Sequence, residues 1–202
     1  MNIRCIIPLL FLLCSILLDS CSENMERSQA KQESHNAYMI NAFSDNSTVF
    51  SEIFYYFKFT NLIDITFRED SSAYMVYSLR DSGNNSSMKQ MRVPVPGHSQ
   101  ETEAVLQANG FTHQDLLKLK FYLTKINCNR ISFIQNKDEE GIDAKELLLM
   151  VNKFDDTSPV YYFRIYQRRL DSAAVDPGFL TNNYKTGGKL SDHVIWYFKW
   201  KP

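Results

Sequence analysis

"LIDITFREDSSAYMVYSLR", residues 62–80, decides the architecture. In its first half Ile63, Ile65 and Phe67 fall on one side, and Asp64, Thr66 and Arg68 on the other. A period of two belongs to a half-buried strand. In the second half Tyr74, Val76 and Ser78 oppose Met75, Tyr77 and Leu79. Two such runs around a short polar turn predict antiparallel neighbours. "DSGNNSS" (81–87) is a turn-rich loop, and "MKQMRVPVPG" (88–97) reads as an edge strand ended by Pro94 and Pro96. Just upstream, "VFSEIFYYFKFT" (49–60) is so dense in aromatics that periodicity cannot choose between a strand and a buried helix.

The middle of the chain is helical. "QETEAVLQANG" (100–110) combines helix formers with Gly110 as a stop. Thr112 and Asp115 then make a cap-like start for a second helix. Its Leu116, Leu119, Tyr122, Leu123 and Ile126 recur three or four apart, an apolar stripe suited to covering a sheet. Strands return in "RISFIQN" (130–136), "ELLLMVNKF" (146–154), "PVYYFRIYQRR" (159–169) and "HVIWYFKWK" (193–201), all rich in β-branched and aromatic residues. Residues 170–192 read as a long connection, with Gly187 and Gly188 as a turn. The expected fold class is α+β: an antiparallel sheet of about six or seven strands packed with two central helices. Two separate sheets flanking the helices are the alternative.

Composition excludes several classes. The chain has 202 residues, a formal net charge of −1, 44% hydrophobic and 13% aromatic residues. A real core follows, and no basic field exists to attract nucleic acid. The start of the chain, "MNIRCIIPLLFLLCSILLDSCSEN", places Arg4 before an apolar run that Asp19 interrupts. The run is too short for a membrane span and suits a removable signal over residues 1–20.

Leu18, Ser20 and Cys21 carry a resemblance. A Leu three before a Cys, with a small residue just before it, resembles the lipobox of bacterial lipoproteins. That resemblance implies diacylglycerol on the Cys21 sulfur, removal of the leader, and membrane attachment through the lipid anchor without a span. Asp directly after the Cys, an inner-membrane retention signal in some bacteria, is replaced by Ser22, and Glu23 resembles surface-export signals of some Bacteroidota lipoproteins. The implied localisation is the cell envelope, at the outer membrane or cell surface. Residues 21–48 then read as a flexible tether with a short helix near 35–43, and residues 49–202 as one domain. After cleavage Cys128 is the lone remaining thiol besides Cys21, so no disulfide framework can form; it is expected in the core.

The chemistry-bearing motifs are few. "NKDEEGIDAKEL" (136–147) resembles an EF-hand loop, with Asp138, Glu140, Asp143 and Glu146 as its oxygen donors. It is one residue short and follows a strand, so an acidic hairpin turn is the simpler reading. His35, His98, His113 and His193 lack zinc-site spacing, and only His98 and His193 have a chance of meeting. No serine-hydrolase elbow, Walker loop or GxGxxG is present. The expectation is therefore no enzyme, no metal and no cofactor. In "VYYFRIYQRR", Tyr162, Arg164 and Tyr166 share one face; with Trp200 they compose the expected interaction surface, whose aromatic and basic character suits a protein partner. An envelope enzyme or a small-ligand or glycan-binding lipoprotein is the second expectation. Convergent carboxylates or a deep apolar pocket would mark it.

Overall fold

A computed structural model describes residues 27, 29–58, 62–70, 72–80, 86–95, 99–137, 143–152, 159–170 and 184–199. The chain divides into two compact units, residues 1–41 and 42–202. In the first unit, residues 29–41 are helical, within a helix over 29–44 (α1) whose last turn belongs to the second unit. Glutamine pairs one turn apart, Gln29 with Glu33 and Gln32 with Asn36, tie its surface together. Within the stretch read as a tether with a short helix near 35–43, residues 29–44 are thus helical, and the second unit opens at Ala42.

The second unit begins with α2 (Ser47–Ile53) and a 3-10 turn (Phe54–Lys58), which settles the aromatic-rich segment as helical. Strands β1 (Leu62–Phe67), β2 (Ser72–Arg80) and β3 (Ser86–Pro94) follow. Next come helices α3 (Gln100–Ala108) and α4 (His113–Lys125). Strands β4 (Cys128–Lys137), β5 (Asp143–Val151), β6 (Val160–Tyr166), β7 (Tyr184–Lys189) and β8 (Val194–Lys199) complete it. The eight strands form one antiparallel sheet in the order β3-β2-β1-β4-β5-β6-β8-β7. This corrects the expected count of six or seven. The added strand is β7, inside the stretch read as a connection. The two strand sets are one sheet because Ile65 of β1 pairs with Ile131 of β4.

One row of side chains crosses the sheet: Met75, Ile65, Ile131, Leu149, Phe163 and Trp196, each paired with the next and all buried. The helix layer lies against this face. Phe50 of α2 meets Phe163 edge-on at 4.9 Å between ring centres, and the Tyr56 hydroxyl donates to the Asp115 carbonyl at 3.2 Å. Each such large side chain contributes about 1.5–3 kcal/mol of hydrophobic stabilisation. Leu116, Leu119, Leu123 and Ile126 of α4's predicted stripe are buried, while Tyr122 is only half-buried at its edge. Asp115 does the work of the usual glutamate in the capping box: its backbone N–H donates to the Thr112 hydroxyl at 3.1 Å, and its carboxylate accepts from the Thr112 N–H at 3.0 Å. Gly110, at φ 70°, ends α3 in the left-handed conformation that suits glycine.

Two local expectations change. Ile63 does not join Ile65 and Phe67 in the core. A register shift between Leu62 and Asp64 turns Leu62 inward, and Ile63 is half-buried. Gly187 and Gly188 are not a turn; they lie in β7 at a second register shift, with Gly188 opposite Trp196. A Cβ on Gly187 would sit inside the Trp196 ring, so only glycine leaves the indole its place. The acidic 136–147 stretch falls between antiparallel β4 and β5, with Lys137 opposite Asp143, in line with the hairpin reading, and residues 138–142 lie outside the described residues.

Candidate functional site

The outer sheet face, away from the helices, carries Tyr162, Arg164 and Tyr166 together, as their spacing predicts. Their surroundings differ from an open contact surface. Arg164 is only 8% exposed, and its guanidinium donates from Nε to Glu146 at 2.7 Å, with Nη2 also on that carboxylate. The β5–β6 register brings this pair together: Leu148 stands opposite Arg164, and Glu146 lies one step away on the same face. Tyr162 is half-buried and stacks on Tyr197 at 5.1 Å, and the Arg164 guanidinium lies 5.1 Å from the Tyr166 ring centre. Trp200 lies outside the described residues. Further along the same face Asp64, 8% exposed, accepts from Arg130 Nε at 2.6 Å, Ser132 Oγ at 2.6 Å and Thr66 Oγ1 at 3.0 Å. Asp64, Glu146 and Arg164 are thus engaged within the fold, while Arg130 meets Asp64 from the exposed surface.

A cleft of about 640 Å³ opens at one end of the sheet, between the β1–β2 turn and the C-terminal half of α4. That size suits a small ligand. Its apolar floor is Phe67, Leu123 and Cys128, all buried. Its rim is polar: Asn127, Asn129 and Asn152 supply three carboxamides, and Thr66 and Thr124 supply hydroxyls. Arg68 and Lys120 are balanced by Glu69 and Asp70.

Local structure explains the carboxamides. Asn127 takes φ 54° in the turn from α4 to β4, a left-handed position that asparagine tolerates better than most residues. Its carbonyl accepts from the Asn152 N–H at 2.8 Å, which holds the start of β4 against the end of β5. The register shift between Cys128 and Arg130 makes Asn129 a bulged residue. The Asn129 Oδ1 atom is sealed from solvent and has no hydrogen-bond partner among the described residues. An acceptor left in that state costs about 1–3 kcal/mol.

Two cleft groups suited to chemistry are tuned for other roles. Burial pushes the Cys128 thiol far above its ordinary range, and its Sγ donates to the Ile126 carbonyl at 3.6 Å. It lies in the core as expected, at the first residue of β4, and stays an un-ionised thiol. Ser72 holds Asp70 below the usual carboxylate range through its hydroxyl, at 2.5 Å, and its N–H, at 3.0 Å; Arg92 adds an ion pair at 2.7 Å. A carboxylate so engaged is held as the anion and is a poor general acid.

The remaining candidates disperse. Glu146, the last oxygen donor of the EF-hand lookalike, is committed to Arg164. Asp138 and Glu140 lie outside the described residues, as does His98. His193 shares a hydrogen bond of 3.1 Å with the Tyr166 carbonyl, while His35 is in α1 and His113 opens α4. Among the described residues no cluster of three or more His, Cys, Asp or Glu is placed to hold a metal ion. None of the described helices is long and apolar enough to cross a membrane. Sequence reasoning missed the cleft. Its one local signal was Asn127-Cys128-Asn129, two carboxamides bracketing a buried thiol directly after a helix. No protein-family model, curated protein or solved structure matches the chain.

Proposed function

We propose that the chain is a lipid-anchored cell-envelope protein whose folded domain is a non-catalytic binding module, with its ligand held in the cleft beside α4. The observation that carries the reading is the lining of the cleft: the carboxamides of Asn127, Asn129 and Asn152 and the hydroxyls of Thr66 and Thr124 over an apolar floor. Arg68 and Lys120 against Glu69 and Asp70 leave the rim formally uncharged, which favours a neutral ligand. Carboxamides and hydroxyls above an apolar floor suit a polyhydroxyl compound such as the end of a glycan: its hydroxyls meet the rim and its C–H faces meet Phe67 and Leu123. The un-ionised Cys128 and the engaged Asp70 favour holding over reacting.

Calorimetric titration of the purified protein with neutral envelope oligosaccharides tests the site. Asn129→Leu is expected to weaken binding by about tenfold or more, as loss of a buried hydrogen bond does, with the melting temperature retained. Unchanged affinity in that variant removes Asn129 from the site and the reading with it.

The anchor has a separate support, the lipobox-like Leu18-Asp19-Ser20-Cys21. Intact-mass measurement of protein from bacterial membranes is expected to show acyl chains that disappear in Cys21→Ala. A Cys21→Ala protein still bearing lipid would end that part of the proposal.

A further inference from the structure

Helix α4 is apolar on two sides. Leu116, Leu119, Leu123 and Ile126 face the core, while Leu117 and Phe121, one turn apart on the other side, are 38% and 56% exposed. The fold has no use for this second pair. Tyr55, 46% exposed in the 3-10 turn, joins them: Lys118 of α4 lies 5.8 Å from its ring centre and 5.6 Å from that of Tyr122. Of the five exposed large apolar side chains among the described residues, three therefore share one ridge; Ile40 and Met88 lie elsewhere in the chain.

The ridge is ringed by lysines. Lys125 sits 4.7 Å from the Phe121 ring centre, Lys58 sits 3.7 Å from that of Tyr55, and Lys120 borders the cleft next door. Lys120 shares the cleft rim with Glu69 and Asp70, and Glu52 lies 3.7 Å from Lys118. Asp115 is engaged in the α4 cap. Lys58, Lys118 and Lys125 around the ridge thus outnumber Glu52 and Asp115, and the ridge is basic on a chain whose net charge is −1.

We infer that this ridge docks on an anionic lipid surface. Apolar tips on a helix flank, surrounded by lysines, match the layered chemistry of a bilayer interface. Leu117, Phe121 and Tyr55 enter the headgroup–acyl boundary, and the lysine stems lie along it with their ammonium groups among the phosphates. An acidic protein surface would match the charge. A partner that also took Leu117 and Phe121 would need apolar pockets set to a convex helix flank, whereas lipid needs none. The inference rests on the envelope reading only for bringing the domain near a bilayer.

Lysine footprinting tests it. The full chain is reconstituted on phosphatidylglycerol–phosphatidylethanolamine vesicles or on phosphatidylcholine vesicles, and floated vesicles are treated with a water-soluble acylating reagent. On the anionic vesicles, modification of Lys118, Lys120 and Lys125 is expected to slow by about tenfold or more, with exposed Lys89 of β3 unaffected. The protection is expected to disappear in Leu117→Ser/Phe121→Ser and to weaken at high salt. Equal modification on both vesicle types overturns the inference. So does protection that arises only when soluble envelope protein is added, which would assign the ridge to an acidic protein. Protection that survives in Cys21→Ala separates ridge docking from the acyl anchor.

Discussion

Arg164→Ala is expected to destabilise the protein by about 3–5 kcal/mol, a large part of the 5–15 kcal/mol typical of a folded domain. The reason is asymmetry. Glu146 and Arg164 are 7% and 8% exposed, and each has surrendered its water for the other. Removing the guanidinium strands a carboxylate in the sheet, and its desolvation is no longer offset. Replacing both groups with apolar residues of similar volume, Glu146→Leu/Arg164→Met, is expected to restore most of the loss. The exposed Asp70–Arg92 pair is the control: Arg92→Ala should change stability by under about 1 kcal/mol. Urea denaturation midpoints measure all three. A small effect of Arg164→Ala would mean that the pair is solvated, and Arg164 would return as a candidate surface contact.

Gly187→Ala is the second large effect, through shape instead of charge. The added methyl would have to share space with the Trp196 indole, which stacks against Tyr161 and Phe198 on the core face and has nowhere to retreat. Overpacking of this kind costs about 1–3 kcal/mol and sometimes more. Gly188→Ala should be much milder, because the nearest atom to its new methyl is Trp196 Nε1 at 3.3 Å. Thermal melts followed by tryptophan fluorescence separate the two variants, since only Gly187→Ala should move the indole out of its folded environment. Equal behaviour would mean that β7 is not seated on Trp196.

Both effects arise from contacts between strands rather than along one, and these were the least legible features. Alternation placed β2 correctly because each residue's side is a local property: Met75 and Tyr77 are buried, while Tyr74 and Val76 are half-exposed. The Thr112–Asp115 cap and the α4 stripe were legible for the same reason. Strand β7, "YKTGGK", has no alternation of its own; its glycines make sense only beside Trp196. The shared face of Tyr162, Arg164 and Tyr166 was readable, but the partner that buries Arg164 is set by the β5–β6 register. The cleft gathers Thr66, Thr124, Asn129 and Asn152 from four elements and their connections, a convergence no single stretch announces. The exposed Leu117 and Phe121 were hidden within a helix whose other leucines explain it fully.

The central claim is that the cleft beside α4 holds a neutral polyhydroxyl ligand. Its most direct test follows the side-chain carboxamide signals of Asn127, Asn129 and Asn152 by nuclear magnetic resonance during titration with neutral envelope oligosaccharides. The account predicts saturable shifts at these three and at the backbone of Thr124, with Arg164 and Tyr197 undisturbed. Shifts confined to the β6–β8 face, or no shifts at saturating oligosaccharide, would contradict it.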